Sequence, residues 1–368
     1  MRTSFLSSAL IAFSICGWAG SIGFNQTNLV SDIPGLAANT DPNLINPWGV
    51  SFGPTSPFWV ANNGSGTATL YNGAGAPQAL VVSVPGNPTG TVFNGNMANF
   101  GGAFFLFAGT GGIISSWAPA DGVTAVVQVD NSTSAAYTGL TIAGNNLYAA
   151  NFRGGAIQEF DSSFAPVSTS GFVDPNLPAG FAPFDVQNIN GDLYVTYAPQ
   201  DRSTGAGLGF VDVYDPGGTL LSRLISGGAL NAPWGLAVAP AGFGSFGGDL
   251  LVGNFGNGMI NAFDINTGAQ VGTIDDASGM PVINQGLWTL TFGNGALGQG
   301  TGTLFLTAGI PGPGGQVEEN GLFASLDPVP EPSSISLAIL GLGVVAVAIA
   351  TPVATHFDVG KRALGSVK

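Results

Sequence analysis

The sequence predicts an all-β chain folded as a six-bladed β-propeller, and three observations carry that prediction. A four-residue signature recurs six times, as Pro47–Val50 (PWGV), Pro88–Thr91 (PTGT), Tyr137–Leu140 (YTGL), Pro183–Val186 (PFDV), Pro233–Leu236 (PWGL) and Leu287–Leu290 (LWTL). The copies stand about 40 to 55 residues apart, near the period of propeller blades and far short of a sandwich domain of roughly 100 residues. Further short apolar runs follow the signature, split by glycine-rich turns; in Asn231–Asp264 they fall at 234–238, 249–253 and 259–264. Glycine and proline number 59 and 24 in 368 residues, but a hydrophobic content of 45% argues for a packed, turn-rich β protein and against disorder.

In chain order, the first residues join Arg2 to an apolar stretch, Phe5–Ile15, and to small residues at Gly17 and Ala19. This is the layout of a secretory signal peptide over residues 1–19. Cys16, the only cysteine, falls inside it after Ile15, where a lipoprotein cleavage site needs a small residue, so neither a lipid anchor nor a disulfide is expected in the mature chain. The propeller is assigned to residues 20–328. Gln26–Val30 alternates in polarity as an edge strand does. The last repeat supplies strands near 288–292, 303–307 and 322–326 but no fourth. The N-terminal strand is therefore expected to complete that blade and close the ring, which removes two exposed edges at once.

The connections are rich in Gly, Asn, Pro and Asp, as turns with positive φ require. Three exceed the rest: Ser31–Asn46, Pro199–Gly209 and Pro311–Asn320. In an antiparallel meander the 2–3 loops and the loops leading into each next blade emerge on one face. All three insertions are thus expected on that face, and loops on a rigid scaffold are where binding residues concentrate.

Residues 329–368 open with Val-Pro-Glu-Pro and continue into an uncharged apolar run, Ile335–Ala350, just adequate for a membrane-spanning helix. This order resembles the PEP-CTERM sorting signal of envelope proteins in Gram-negative bacteria. The resemblance implies export, retention at the membrane through that helix, and processing by an exosortase. The sequence departs from the pattern at its end, where Thr355–Gly360 intervene before Lys361 and Arg362. The repeats resemble the NHL class of six-bladed propellers: the signature Pro233–Leu236, the second-strand motif at Val60-Ala61-Asn62, Ala149-Ala150-Asn151 and Val252-Gly253-Asn254, and the third-strand motif at Gly155–Phe160 and Gly258–Phe263. The whole chain is similar to an uncharacterised group of exported bacterial propellers that begin with a segment like Leu29–Gly35 and end in PEP-CTERM.

Composition excludes several functions. Between Gly20 and Pro330 the basic residues are Arg153, Arg202 and Arg223, against all but Glu331 and Asp358 of the 21 acidic ones. Such a surface repels nucleic acid, whose binding depends on neutralising phosphates. His356, the only histidine, lies beyond the sorting helix, so the propeller lacks a Ser-His-Asp triad, a Cys-His pair and a histidine-ligated metal. What remains is carboxylate, amide, tyrosine and arginine chemistry, with calcium as the cation it suits.

Trp48, Trp234 and Trp288 share one signature position, which sets three indoles around the axis, either packed between blades or forming a stacking ring for a sugar or peptide. Arg153 and Arg202 lie in or near 2–3 loops, placed either to bind a carboxylate or merely to offset the acidic surface. Asp185 is the one acid in a signature and the candidate metal ligand near the channel mouth; Asn46, Asn62, Asn87, Asn151 and Asn254 could add oxygens. Six-bladed lactonases hold calcium in the channel with such groups. The expected function is an exported, envelope-anchored binding or structural module of the cell surface or extracellular matrix, its ligand a polysaccharide or peptide and with no required cofactor. A calcium-dependent, lactonase-like hydrolase is the alternative.

Overall fold

The computed structural model describes residues 23–329, and the expected signal peptide and sorting helix lie outside them. Among the described residues no helix is long and apolar enough to cross a membrane. The architecture is a ring of six antiparallel sheets. The signatures form the innermost strands: Pro47–Ser51, Pro88–Phe93, Tyr137–Ala143, Phe181–Ile189, Pro233–Val238 and Leu287–Phe292. In each blade the next strands follow outward in sequence order. Each sheet is sandwiched between two others, so its middle strands are apolar on both faces. In blade 1, Phe58–Asn62 is buried throughout, whereas the outer strand Pro77–Ser83 is mostly exposed.

The glycine of the signature has a steric cause. A Cβ on Gly49 would lie 2.5 Å from the Thr89 carbonyl oxygen, and one on Gly90 would lie 2.6 Å from the Leu140 nitrogen. Successive inner strands abut backbone to side-chain position, and only hydrogen fits between them.

The ring closes as the missing fourth strand requires. Blade 6 contains Leu287–Phe292, Leu304–Ala308 and Leu322–Pro328, and Phe24–Ser31 pairs antiparallel with the last of these, from Phe24 opposite Pro328 to Ser31 opposite Leu322. The Val329 N–H donates to the Gly23 carbonyl at 2.8 Å. A two-residue strand, Asn39–Thr40, adds a parallel pairing outside. Phe24 also reaches into blade 5, its ring 4.8 Å from Phe243 and 6.0 Å from Phe246. The closing strand therefore joins sheet hydrogen bonds to a packed core rather than merely capping an edge.

Candidate functional site

Six inner strands converge on a central channel, and the signature aromatics fill it. Trp48 and Trp288 stack with ring centroids 3.4 Å apart, and Trp234 meets both edge-on at 6.1 and 5.8 Å. Phe184 of blade 4 lies 6.3 Å from Trp48 of blade 1, so side chains from opposite sides of the ring touch across the axis. The three indoles are 5%, 4% and 1% exposed. They therefore neither pack between blades nor offer open rings to a ligand: they plug the channel and divide it into two cavities. Trp288 Nε1 donates to Asn46 Oδ1 at 3.0 Å and Trp234 Nε1 to the Thr138 carbonyl at 2.9 Å, while the buried Trp48 Nε1 has no partner among the described residues.

The larger cavity, about 680 Å³, opens on the face of the 2–3 and inter-blade loops, and all six blades contribute to its wall. The long connections meet there: Asn46 ends the first, Pro199–Thr204 belongs to the second and Glu318 to the third. The floor is aromatic, with Trp48, Trp288 and Phe184 joined by the half-buried Phe152 and Phe255. Arg153 and Arg202 stand exposed at the wall. Among the described residues neither has a carboxylate within 4.0 Å, whereas Arg223 bridges Asp174 and Asp212 elsewhere. The Arg153 guanidinium donates to the Ser132 carbonyl at 3.3 Å.

Glu318 is the carboxylate that lines this cavity, and no motif or repeat in the sequence marks it. Burial raises its pKa; donation from Asn46 Nδ2 at 3.3 Å and the positive field of Arg202 offset part of that rise. The loop turns it inward through a left-handed backbone, φ 72°, while the adjacent Glu319 is exposed. Asn46, Arg202 and Ala232 are left-handed too, with φ of 47°, 63° and 48°. Asparagine tolerates that region, but at Arg202, Ala232 and Glu318 it represents stored backbone strain of about 1–3 kcal/mol each, a cost that collects at binding sites.

The smaller cavity, about 320 Å³, lies on the other side of the plug and is lined by the remainder of the inner strands. Asp185 faces it, one residue beyond Phe184, so the structure does not bring Asp185 together with Arg153 and Arg202. Trp234 lines this side as well. Burial holds the Asp185 carboxyl well above the usual carboxylate range, opposed only by the Val186 N–H. Gly139 is what makes room for it, because a Cβ there would strike Asp185 Oδ1.

Calcium takes six to eight oxygens, several of them charged. Asp185 is the only acid of its cavity, and among the described residues no three His, Cys, Asp or Glu side chains gather closely enough to hold a metal. The asparagines considered as further ligands have other tasks. Asn151 Oδ1 accepts from the Ala136 and Gly154 N–H groups, and Asn254 Oδ1 accepts from the Asn231 N–H, each tying an inter-blade connection to a 2–3 turn. Asn62 Nδ2 donates to Thr67 and Thr69 within its own blade, and its buried Oδ1 lacks a partner among the described residues but lines neither cavity. Asn46 and Asn87 occupy left-handed positions that asparagine tolerates.

Comparison with known proteins agrees with this architecture. Residues 328–350 match the PEP-CTERM protein-sorting motif, which marks an exported, envelope-associated protein. A structural genomics protein of unknown function from Bacteroides thetaiotaomicron superposes with a TM-score of 0.55 at 11% identity, over 83% of this chain and 76% of that one. A streptogramin B lyase structure superposes with a TM-score of 0.50 at 10% identity, over 83% and 98%. Both share the fold alone. Uncharacterized protein R648 of Acanthamoeba polyphaga mimivirus is 36% identical over 287 residues, 70% of this chain and 71% of that protein. The chain belongs to the family of R648.

Proposed function

We propose that this protein is a binding module of the cell surface or extracellular matrix, exported and sorted through its C-terminal motif, processed there by an exosortase, and that its ligand occupies the cavity above the aromatic plug. The supporting observation is the convergence of Arg153 and Arg202, without carboxylate partners among the described residues of an acidic chain, on an aromatic-floored cavity built by loops from every blade. Its volume falls within the roughly 300–1,000 Å³ usual for ligand sites. The arrangement favours binding over turnover: among the described residues Glu318 is the one acid in the wall, and they include no histidine or cysteine. The donors around Asp185 give the calcium-dependent hydrolase no comparable support.

The test is a thermal-shift screen of small acids, sugars and short peptides on the mature protein and on Arg153→Gln/Arg202→Gln. A ligand that stabilises the first and not the second is expected. Ligands that stabilise both equally, and respond instead to Asp185→Asn, would place the site on the far side of the plug.

A further inference from the structure

Resting on that reading of the site, we infer that the occupant of the upper cavity is a sugar acid, a carboxylate on a polyhydroxylated ring, taken as a free molecule or as the terminal residue of a chain. Three features of the wall ask for three features of one ligand. The first is cationic. Between Gly20 and Pro330 the acidic residues far outnumber the three arginines, so an arginine without a carboxylate is the exception. Arg223 bridges two aspartates; among the described residues Arg153 and Arg202 bridge none, and both line this cavity. Asp201, the neighbour of Arg202, accepts at Oδ1 from the Ser203 N–H and hydroxyl at 2.9 and 2.7 Å and does not pair with the guanidinium. Two guanidinium groups, each able to grip a carboxylate through paired N–H donors, select an anion of that shape.

The second feature is a set of acceptors that a carboxylate cannot satisfy. Glu318, turned inward and half-buried, presents its oxygens to the cavity, with Asn46 the donor on one of them. The Gln200 amide is anchored through its nitrogen to the Phe152 carbonyl at 2.8 Å, which leaves its oxygen available. Thr110 and Thr204 add hydroxyls. An aromatic or aliphatic acid would pair with the arginines but strip water from these acceptors without replacing it, at about 1–3 kcal/mol for each one left unmatched. Ring hydroxyls donate to them. The third feature is the apolar floor, where the half-buried Phe152 and Phe255 offer flat surfaces for the C–H face of a pyranose.

Within the cavity the ligand's carboxylate faces the two arginines and its hydroxyls face Glu318, which lines the same wall.

The experiment titrates the mature protein with D-glucuronate, D-glucose, benzoate and a short glycine-rich peptide with a free C-terminus, following tryptophan fluorescence and heat, at low and high salt. Glucuronate is expected to bind best and to weaken with salt. Loss of either its charge, in glucose, or its hydroxyls, in benzoate, should cost on the order of tenfold or more in affinity. Arg153→Gln/Arg202→Gln should lose glucuronate by a similar factor, and Arg153→Lys/Arg202→Lys should retain an intermediate affinity, with unchanged melting temperatures because both side chains are exposed. Glucose, benzoate or the peptide binding as tightly as glucuronate would overturn the sugar-acid assignment and leave the binding module standing. Failure of all four to bind would overturn both.

Discussion

Trp48→Phe and Trp288→Phe delete the same atoms from sites of nearly equal burial, 5% and 1% exposed, in one stacked pair. The packing loss is therefore shared, and the two differ in what becomes of the indole N–H. Trp288 Nε1 donates to Asn46 Oδ1, so its removal leaves a buried carbonyl oxygen without a donor and frees a residue whose amide also holds Glu318. The cost of a buried acceptor left unpaired is about 1–3 kcal/mol. Trp48 Nε1 has no partner, so its removal relieves a desolvated donor and recovers a similar quantity. Trp288→Phe should thus be the less stable variant by roughly 2 kcal/mol or more. At a slope of about 3 kcal/mol per molar urea that separates the two unfolding midpoints by roughly 0.7 M. Equilibrium urea unfolding followed by tryptophan fluorescence and far-ultraviolet circular dichroism measures it. Coincident midpoints, or a lower midpoint for Trp48→Phe, would refute the assignment of paired and unpaired indoles.

Two further outcomes follow from the fold. Phe24→Ala empties a fully buried position where the closing strand packs on Phe243 and Phe246, and should lower unfolding free energy by about 3–5 kcal/mol; a loss under 1 kcal/mol would mean that strand pairing alone closes the ring. Asp185 has a folded pKa above its unfolded value, so the wild type is penalised progressively as pH rises from 3.8 toward that folded pKa, and Asp185→Asn escapes the penalty. The variant should gain stability relative to wild type between pH 4 and neutrality in parallel urea titrations, and a pH-independent difference would contradict the burial of that carboxyl.

Repetition made the scaffold legible. The signature glycine recurs because the next blade's backbone leaves no room for a Cβ, as at Gly49, so the steric rule was written several times over. The orphan strand at each end had one economical partner, and the pairing of Phe24–Ser31 with Leu322–Pro328 is that partner. The site was legible only where topology sufficed. Strand reversal placed the three long connections, Arg153 and Arg202 around one cavity. It said nothing of the plug's thickness, and so nothing of Asp185 falling on the far side one residue after Phe184. Glu318 and Glu319 are equivalent in sequence; the left-handed turn that sends one inward and leaves the other in solvent belongs to a glycine-rich loop without a repeat to read it from.

The closing strand also orders events in time. A polypeptide that crosses a membrane N-terminus first delivers Phe24–Ser31 at the outset and its partner, Leu322–Pro328, at the end. Every shorter length of chain, including one that carries five complete sheets, is an open arc whose two free borders have nothing to meet. The entropic cost of bringing such distant segments together grows only logarithmically with their separation, but contacts this far apart form late. The bracelet stays unclasped throughout delivery, and it is fastened by the last strand to emerge.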